Sequence, residues 1–543
     1  MGAFFYFCAM IHQQLLLVMA LFFAMALLYL LSQKIRISYP IFLVIGGLGI
    51  SFIPSMPTIS VDPDLVFLIF LPPLLFEAAW MTSWTNFWKW KRSILLMGFG
   101  MVFCTSLAVA YFSVNIIPGF TLALGFLLGG IISPPDAVAA TSVLKGVNMP
   151  RRGLTILEGE SLVNDAASLT VFRFALAAVL TTQFTFEKAF TDFLVLSVMG
   201  VFVGLVIGHI LYLVLRYWAK SSNITTPITL TAPYLMYIVA EEFHWSGVLA
   251  VVSGGLFLSF RSKDYLNYHT RIQTKEVWDT VGFLLNGFVF ILIGLELPVI
   301  VAELGDYSMK QAIYFSLLIS AIVIIIRIIL VYLMDFIPRW LSPKIRATEN
   351  SPGLKLPFII GWAGMRGVVS LASALAIPLL MEDGTPFPQR NLILFITFVV
   401  ILITLVFQGL TLPFFLKLLK VEEVDDVVAP EEQINAIRLK LARKTVDYLK
   451  EHYPEELKNN RTVQRILEQY ELNITLSEGA KAEKINVNKQ DADHKLYLRI
   501  MQEIIHLKRQ GLDEAEEEKK YDHEVIRDME YNLDLEEARL HRY

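Results

Sequence analysis

A chain of 543 residues that is 55% hydrophobic and only 18% charged is not an ordinary soluble protein, for which roughly 25% charged and 45–50% apolar would be usual. The formal charge of −4 hides two parts of opposite sign: from Val421 onward there are 29 acids against 20 bases, and before it 26 bases against 21 acids. The total therefore selects no partner by itself, and with no metal, nucleotide or nucleic-acid motif beside it, no cofactor and no nucleic acid are expected. The two cysteines, Cys8 and Cys104, sit in or beside apolar stretches without metal-ligand spacing, so a disulfide framework is excluded too.

The apolar residues fall into thirteen segments before position 420: about 13–33, 39–55, 63–81, 92–114, 119–145, 152–181, 187–217, 226–243, 245–262, 275–297, 307–337, 355–382 and 390–418. Most approach the ~20 residues needed to cross a bilayer as a helix. The first ends at Lys34 and Arg36; it lacks a basic leader and a small-residue cleavage site, and reads as a retained helix, not a signal peptide. The loops after odd segments carry the bases, among them Lys89, Lys91, Arg92, Arg151, Arg152, Arg261, Lys263, Arg339 and Arg346. Those after even segments carry acids, such as Asp62, Glu241, Glu303 and Asp383. The positive-inside rule then puts the N-terminus outside and the residues after 420 in the cytoplasm. The expected fold class is an all-α polytopic membrane protein of about thirteen transmembrane helices, followed by a mostly helical cytoplasmic tail over 421–543. In that tail 479–493 reads as a linker and 513–542 as an acidic stretch.

Two segments are expected to be interrupted. The fifth carries Ser133-Pro134-Pro135 in its middle; proline has no N–H and clashes with the preceding turn. The twelfth carries Gly361-Trp362-Ala363-Gly364-Met365-Arg366-Gly367, three glycines around an arginine, a stretch that unwinds easily. Each is the middle of a triple, 4–6 and 11–13. Broken helices in matching places of two halves point to a transporter site between inverted repeats.

Acids coincide with the first break. Asp136 follows the prolines directly, and segment six carries Leu157-Glu158-Gly159-Glu160-Ser161-Leu162-Val163-Asn164-Asp165. Glu158, Ser161 and Asp165, at i, i+3 and i+7, share one helix face; Glu160 and Asn164 share the next. Intramembrane acids are costly and mark ion or proton pathways, and clustered oxygens suit a hard cation. A carboxylate that takes either a cation or a proton gives exchange. The plainer alternative is that arginines such as Arg173 and Arg366 neutralise the acids, which accounts for one or two of them. Arg327, deep in Ile324-Ile325-Ile326-Arg327-Ile328-Ile329, calls for a structural partner such as Asp335 or an acid on another helix. A cation channel and an intramembrane aspartyl protease built on Asp136 and Asp165 are the rival functions. The first would favour symmetric acid rings; the second does not need so many acids.

The chain resembles bacterial sodium/proton members of the first monovalent cation:proton antiporter family over about residues 15–420. The resemblance rests on Ser133-Pro134-Pro135-Asp136-Ala137-Val138-Ala139, Glu158-Gly159-Glu160-Ser161-Leu162-Val163-Asn164-Asp165, Leu71-Pro72-Pro73-Leu74-Leu75-Phe76-Glu77 and Gly364-Met365-Arg366-Gly367. It departs from the animal and plant branches, which place a proline after the acid where this chain has two before Asp136. The resemblance implies that Asp165 carries cation and proton in turn, and that Asn164 is its neutral partner in an electroneutral exchanger. It implies that Asp136, Ser161 and Glu77 complete or shape the sodium site; Glu158, by its spacing on the Asp165 face, is an additional member of the acid cluster. It implies a structural ion pair between Glu160 and Arg366. It implies a homodimer in the inner (plasma) membrane serving pH homeostasis, with lithium or potassium as alternatives to sodium. It also implies a dimerisation part, about 1–114 less segment four together with 187–297, and a core part, about 92–181 and 307–418. Reporter fusions at Glu303 and at Glu451 are expected to give opposite sidedness; the same side for both overturns the thirteen-span topology.

Overall fold

The computed structural model describes the chain except residues 1, 36, 54–67, 145–148, 182–185, 220, 303, 305–306, 382, 422, 424–429, 483–498, 513, 515–525, 527–528, 530–532 and 538–543. The described residues form two compact units, Met1–Asp426 and Val427–Tyr543. Each of the thirteen apolar segments contains helix: α1 Gly2–Ile35, α2 Tyr39–Ser51, α3 Leu71–Met81, α4 Trp84–Ile116, α5 Leu122–Ile132 with α6 Ala137–Leu144, α7 Arg151–Thr181, α8 Phe186–Tyr217, α9 Ser222–Glu242, α10 Gly247–Tyr265, α11 Tyr268–Ala302, α12 Met309–Leu341, α13 Lys355–Trp362 with α14 Val368–Leu375, and α15 Arg390–Leu419. Eight helical stretches among the described residues are long and apolar enough to cross a membrane. The fold is a helical membrane bundle. The second unit is helical as well, with α16 Pro430–His452 and α17 Arg461–Ala482. The first residues of the third segment, the loop acid Glu303, most of the expected linker and most of the acidic stretch after Leu512 lie outside the described residues.

Both expected interruptions are present. Helix α5 ends at Ile132 and α6 restarts at Ala137; α13 ends at Trp362 and α14 restarts at Val368. Several unbroken helices outrun their apolar windows. Helix α4 starts at Trp84, not 92, because Trp84, Trp88, Lys89, Trp90 and Lys91 can stay helical at an interface that accepts both aromatic belts and long cations; Lys91 Nζ lies 3.8 Å over the Trp88 ring. Helix starts are signed locally: the Thr121 hydroxyl accepts from Leu124 N–H at 3.2 Å ahead of α5, and Ser308 with Gln311 forms a reciprocal cap on α12.

Helices α4, α5 and α7 pack as one group, with α12 against α13 and α15. Their apolar residues join one large core that also takes in parts of α2 and α11. A second core gathers α3, α8, α9, α10 and Trp278 around Leu162, Ala166 and Leu169 of α7. Those three stand at i, i+4 and i+7, so α7 turns one face to each core. At the Arg151 end of α7, Arg152 lies 3.6 Å from Asp335 and 4.0 Å from Glu349. Arg92 binds Glu349 at 2.7 Å, and Arg339 lies 3.6 Å from it. Arg152 also stacks 4.3 Å over Trp90. This cluster ties α4, α7, α12 and the loop before α13 together at one end.

The expected Glu160–Arg366 pair is not formed. Glu160 instead binds Arg327 through two contacts, Nη1–Oε1 at 2.7 Å and Nη2–Oε2 at 3.1 Å, with both side chains wholly buried. The reason lies in the second break. Unwinding at both breaks leaves carbonyl groups bare at membrane depth, and Arg366, in the second break, is spent on them: it donates to the carbonyls of Ile132 at 2.9 Å and Ser133 at 3.4 Å in the first break and to that of Gly364 in its own. Arg327 thus finds the acid on another helix that its apolar setting demands, while Asp335 goes to Arg152. Neither arginine takes Asp165 or Asp136, and Arg173 is held by Glu241 in a two-oxygen contact at 2.7 Å. Removing one member of a buried pair strands the other charge at a cost of about 3–5 kcal/mol. Arg327→Met and Glu160→Gln are each expected to lower the melting temperature in detergent strongly, and the double variant less than the sum of the two. Additive losses would show that the two groups do not pair.

Candidate functional site

The two breaks cross, and the chain groups freed by each are taken up by the other. Asp136 N–H donates to the Met365 carbonyl at 2.7 Å. Arg366 N–H donates to the Thr404 hydroxyl at 3.1 Å, and that threonine opens a widened turn, Thr404–Gln408, within α15. The Asp136 carboxylate accepts from Val138 N–H at 2.8 Å and Ala139 N–H at 3.2 Å. One carboxylate therefore caps the start of α6 and lies against the start of α14 at Gly367, where helix dipoles favour negative charge. Gly367 is required here: a side chain at that position would occupy the space of the Asp136 carboxylate.

Helix α7 lies against this crossing. Ser161 Oγ accepts from Ala137 N–H at 3.3 Å. Asn164, fully buried, donates from Nδ2 to the Pro135 carbonyl at 3.2 Å, and its Oδ1 has no partner among the described residues. One residue on, Asp165 faces a small cavity of about 60 Å³, enough for a cation with a few waters. Asp136, Ser161, Asp165, Asn286 and Ser370 supply its polar lining, with leucines of α3 opposite. The Asp165 carboxylate has no hydrogen-bond or ion-pair partner among the described residues. A group able to take a proton or a cation needs that freedom.

The structure thus brings Asp165, Asp136 and Ser161 to one cavity. It does not bring the other expected members there. Asn164 binds the first break from the neighbouring face of α7. Glu158 is half-buried and does not line the cavity; seven residues before Asp165, it is displaced by about 10 Å along the helix. Glu77 is directed at α11, where its carboxylate oxygens lie 2.8 Å from where a side chain on Gly282 would begin, so that glycine makes room for the acid. Sequence reasoning missed Asn286 and Ser370 as lining residues. Asn286 did carry a signal, a lone amide in the apolar run from Val281 to Gly294; Ser370 carried none, since a serine among small residues passes for packing.

Comparison with known proteins agrees with this geometry. The family model "Sodium/hydrogen exchanger, transmembrane" matches residues 18–418. The chain is 32% identical over 431 residues to the sodium, potassium, lithium and rubidium/H(+) antiporter of Bacillus pumilus, spanning 77% of this chain but 63% of that protein's length. It is 32% identical over 404 residues to the Na(+)/H(+) antiporter ApNhaP of Aphanothece halophytica, covering 74% of this chain and 73% of that one. Its fold matches that of the sodium proton antiporter MjNhaP1 from Methanocaldococcus jannaschii with a TM-score of 0.59 at 19% identity, over 76% of this chain and 99% of that one. A helical membrane bundle with two crossed helix breaks, an unpaired carboxylate beside them, and a match across residues 18–418 places this chain in the sodium/hydrogen exchanger family of membrane transporters.

Proposed function

We propose that this chain exchanges sodium for protons at Asp165, one for one, by alternating access. The observation that carries the proposal is the free Asp165 carboxylate at the cavity beside the two breaks, in a core where Arg327, Arg366 and Arg173 are all engaged elsewhere. Asp136 supports it: its Oδ1 is committed to two backbone N–H groups, so it shapes the field at the cavity while Asp165 does the exchanging. Ser161 adds a hydroxyl oxygen to the same cavity. In this proposal Glu77 and Glu158 act from outside the cavity, and Asn164 holds the first break. The protein works as a homodimer in the plasma membrane, with its N-terminus outside and the unit after Asp426 in the cytoplasm. The core part moves against the dimerisation part. The Bacillus pumilus relative is named for potassium, lithium and rubidium besides sodium, which favours a second reading of wider cation choice at the same site.

Competition at a single carboxylate makes a definite demand. In proteoliposomes, lowering a symmetrical pH should raise the apparent KM for sodium about tenfold per unit once protons occupy the site, as one-proton linkage requires, while the rate at saturating sodium stays nearly constant. Asp165→Asn cannot ionise and should abolish coupled sodium and proton flux in a protein that still folds. Substantial exchange by this variant overturns the assignment. Repeating the assay with lithium, potassium and rubidium decides between sodium selectivity and the wider choice.

Stoichiometry is a separate matter. Asn164 stands where a second acid would otherwise sit beside Asp165, so one charge leaves for each that enters. The initial rate should then be indifferent to an imposed membrane potential with the pH gradient clamped. A clear response to a potassium–valinomycin potential rules out one-for-one exchange.

A further inference from the structure

We propose that Ser370 and Asn286 give neutral oxygen ligands to the cation at Asp165 and thereby set its affinity and identity; the inference rests on the reading of Asp165 as the cation's carboxylate. Ser370 is the third residue of α14, is 1% exposed, and lines the Asp165 cavity. Its hydroxyl has no partner among the described residues. Some serines and threonines of the bundle satisfy themselves on the carbonyl four residues back, as Ser316, Ser320 and Thr404 do at 2.7–2.8 Å; others, such as Thr105, Ser106 and Thr397, are left unpaired among the described residues as Ser370 is, but they do not line the Asp165 cavity. Ser370 has no such recourse. Four residues back lies Arg366, in the unwound break, and the helix has not yet built a carbonyl beneath it. A buried hydroxyl left unpaired is unfavourable, and its persistence calls for a ligand.

Asn286 approaches from the other side, on α11. It is 5% exposed and lines the same cavity. Its Nδ2 donates to the Gly282 carbonyl at 2.9 Å, which fixes the amide and leaves Oδ1, a pure acceptor, without a hydrogen-bond partner among the described residues. A hydroxyl and an amide oxygen are hard, neutral ligands of the kind such a cation takes. They differ from a carboxylate in one decisive way: neither takes a proton near neutral pH. Asp165 cannot by itself tell a proton from a cation, since both bind the same oxygens. Neutral oxygens favour the cation alone, and their spacing discriminates cation size. The two ligands also reach the cavity from different helices, α14 and α11, so a bound cation draws those helices together and a proton does not.

Removing one neutral ligand should cost the cation the equivalent of one charge-assisted contact, about tenfold in affinity or more. Ser370→Ala and Asn286→Ala are therefore expected to raise the KM for sodium about tenfold, with little change in the rate at saturating sodium. Ser370→Thr should recover most of the affinity lost in Ser370→Ala, and the order of preference among lithium, sodium and potassium should change in both alanine variants. Binding is checked without transport by the rise in melting temperature that sodium gives the detergent-solubilised protein, in wild type, in both alanine variants and in Asp165→Asn. A shift weakened in the alanine variants supports the proposal, even if it survives in Asp165→Asn; that survival would overturn the reading of Asp165 and not the neutral ligands. Wild-type KM and wild-type sodium shift in both alanine variants, with the shift lost in Asp165→Asn, overturn the proposal and leave Asp165 in place.

Discussion

Backbone groups at membrane depth have no water to turn to, so each must find a partner within the protein. Two interrupted helices at once would leave several N–H and C=O groups bare. The chain meets that demand by crossing the interruptions. Asp136 N–H takes the Met365 carbonyl, Arg366 takes the carbonyls of Ile132 and Ser133, and the Asp136 carboxylate caps restarted α6 while lying against the start of α14. Neither break could persist alone, because each uses groups that only the other supplies. The site follows from this: two helix starts and a set of ordered dipoles converge where α7 brings Ser161 and Asp165.

The same demand governs the charges. A buried charge is tolerated when paired and hydrogen-bonded. Glu160 has Arg327, Arg366 has carbonyls, and Arg152, Arg92, Arg339, Asp335 and Glu349 share contacts at one end of the core. Against that background the unpartnered Asp165 is informative. A fold that pairs or hydrogen-bonds Glu160, Arg327, Arg366 and Asp136 around the crossing has left this one for something that comes and goes. The strength of the inference lies in that contrast more than in the presence of an acid in the membrane.

Much of the fold was legible because its signals are local. Apolar length marks a membrane helix, and Pro134-Pro135 or Gly364 with Gly367 marks a break wherever the rest of the chain lies. Asp136, Ser161 and Asp165 were legible as a group since the first follows the prolines and the other two share a helix face. Partner choice was not legible. Glu160 could have met Arg366 or Arg327, and only the positions of unwound carbonyls, which depend on how the breaks cross, decide that Arg366 is occupied. Periodicity likewise placed Glu158 on the Asp165 face but said nothing of how far along α7 the cavity extends. Asn286 and Ser370 stayed hidden because a ligand of neutral oxygen looks like any polar residue until its lack of another partner is visible.

Helix α7 joins two kinds of contact that respond differently to movement. Toward the breaks it is held by directed bonds, from Ala137 N–H to Ser161 and from Asn164 to the Pro135 carbonyl. Toward the second core it presents Leu162, Ala166 and Leu169, whose burial is favourable without fixed direction. Hydrogen bonds at a crossing are lost when their geometry shifts by an ångström or so; an apolar seam can slide and repack. Under the alternating access proposed above, displacement belongs at the seam, with the crossing and α7 carried as one piece. Ser161 and Asp165 alternate with the seam residues along the same helix, and the cavity lies between α7 and the leucines of α3. In that alternating access, a shift along the seam carries Asp165, Ser161 and Ser370 together and moves them against Asn286 on α11. The Arg173–Glu241 contact joins α7 to α9 across this seam, some 21 residues, or about 31 Å, from the Arg152 cluster. Partly exposed, that pair is weak enough to open and close, whereas Glu160–Arg327, sealed within the moving piece, is not.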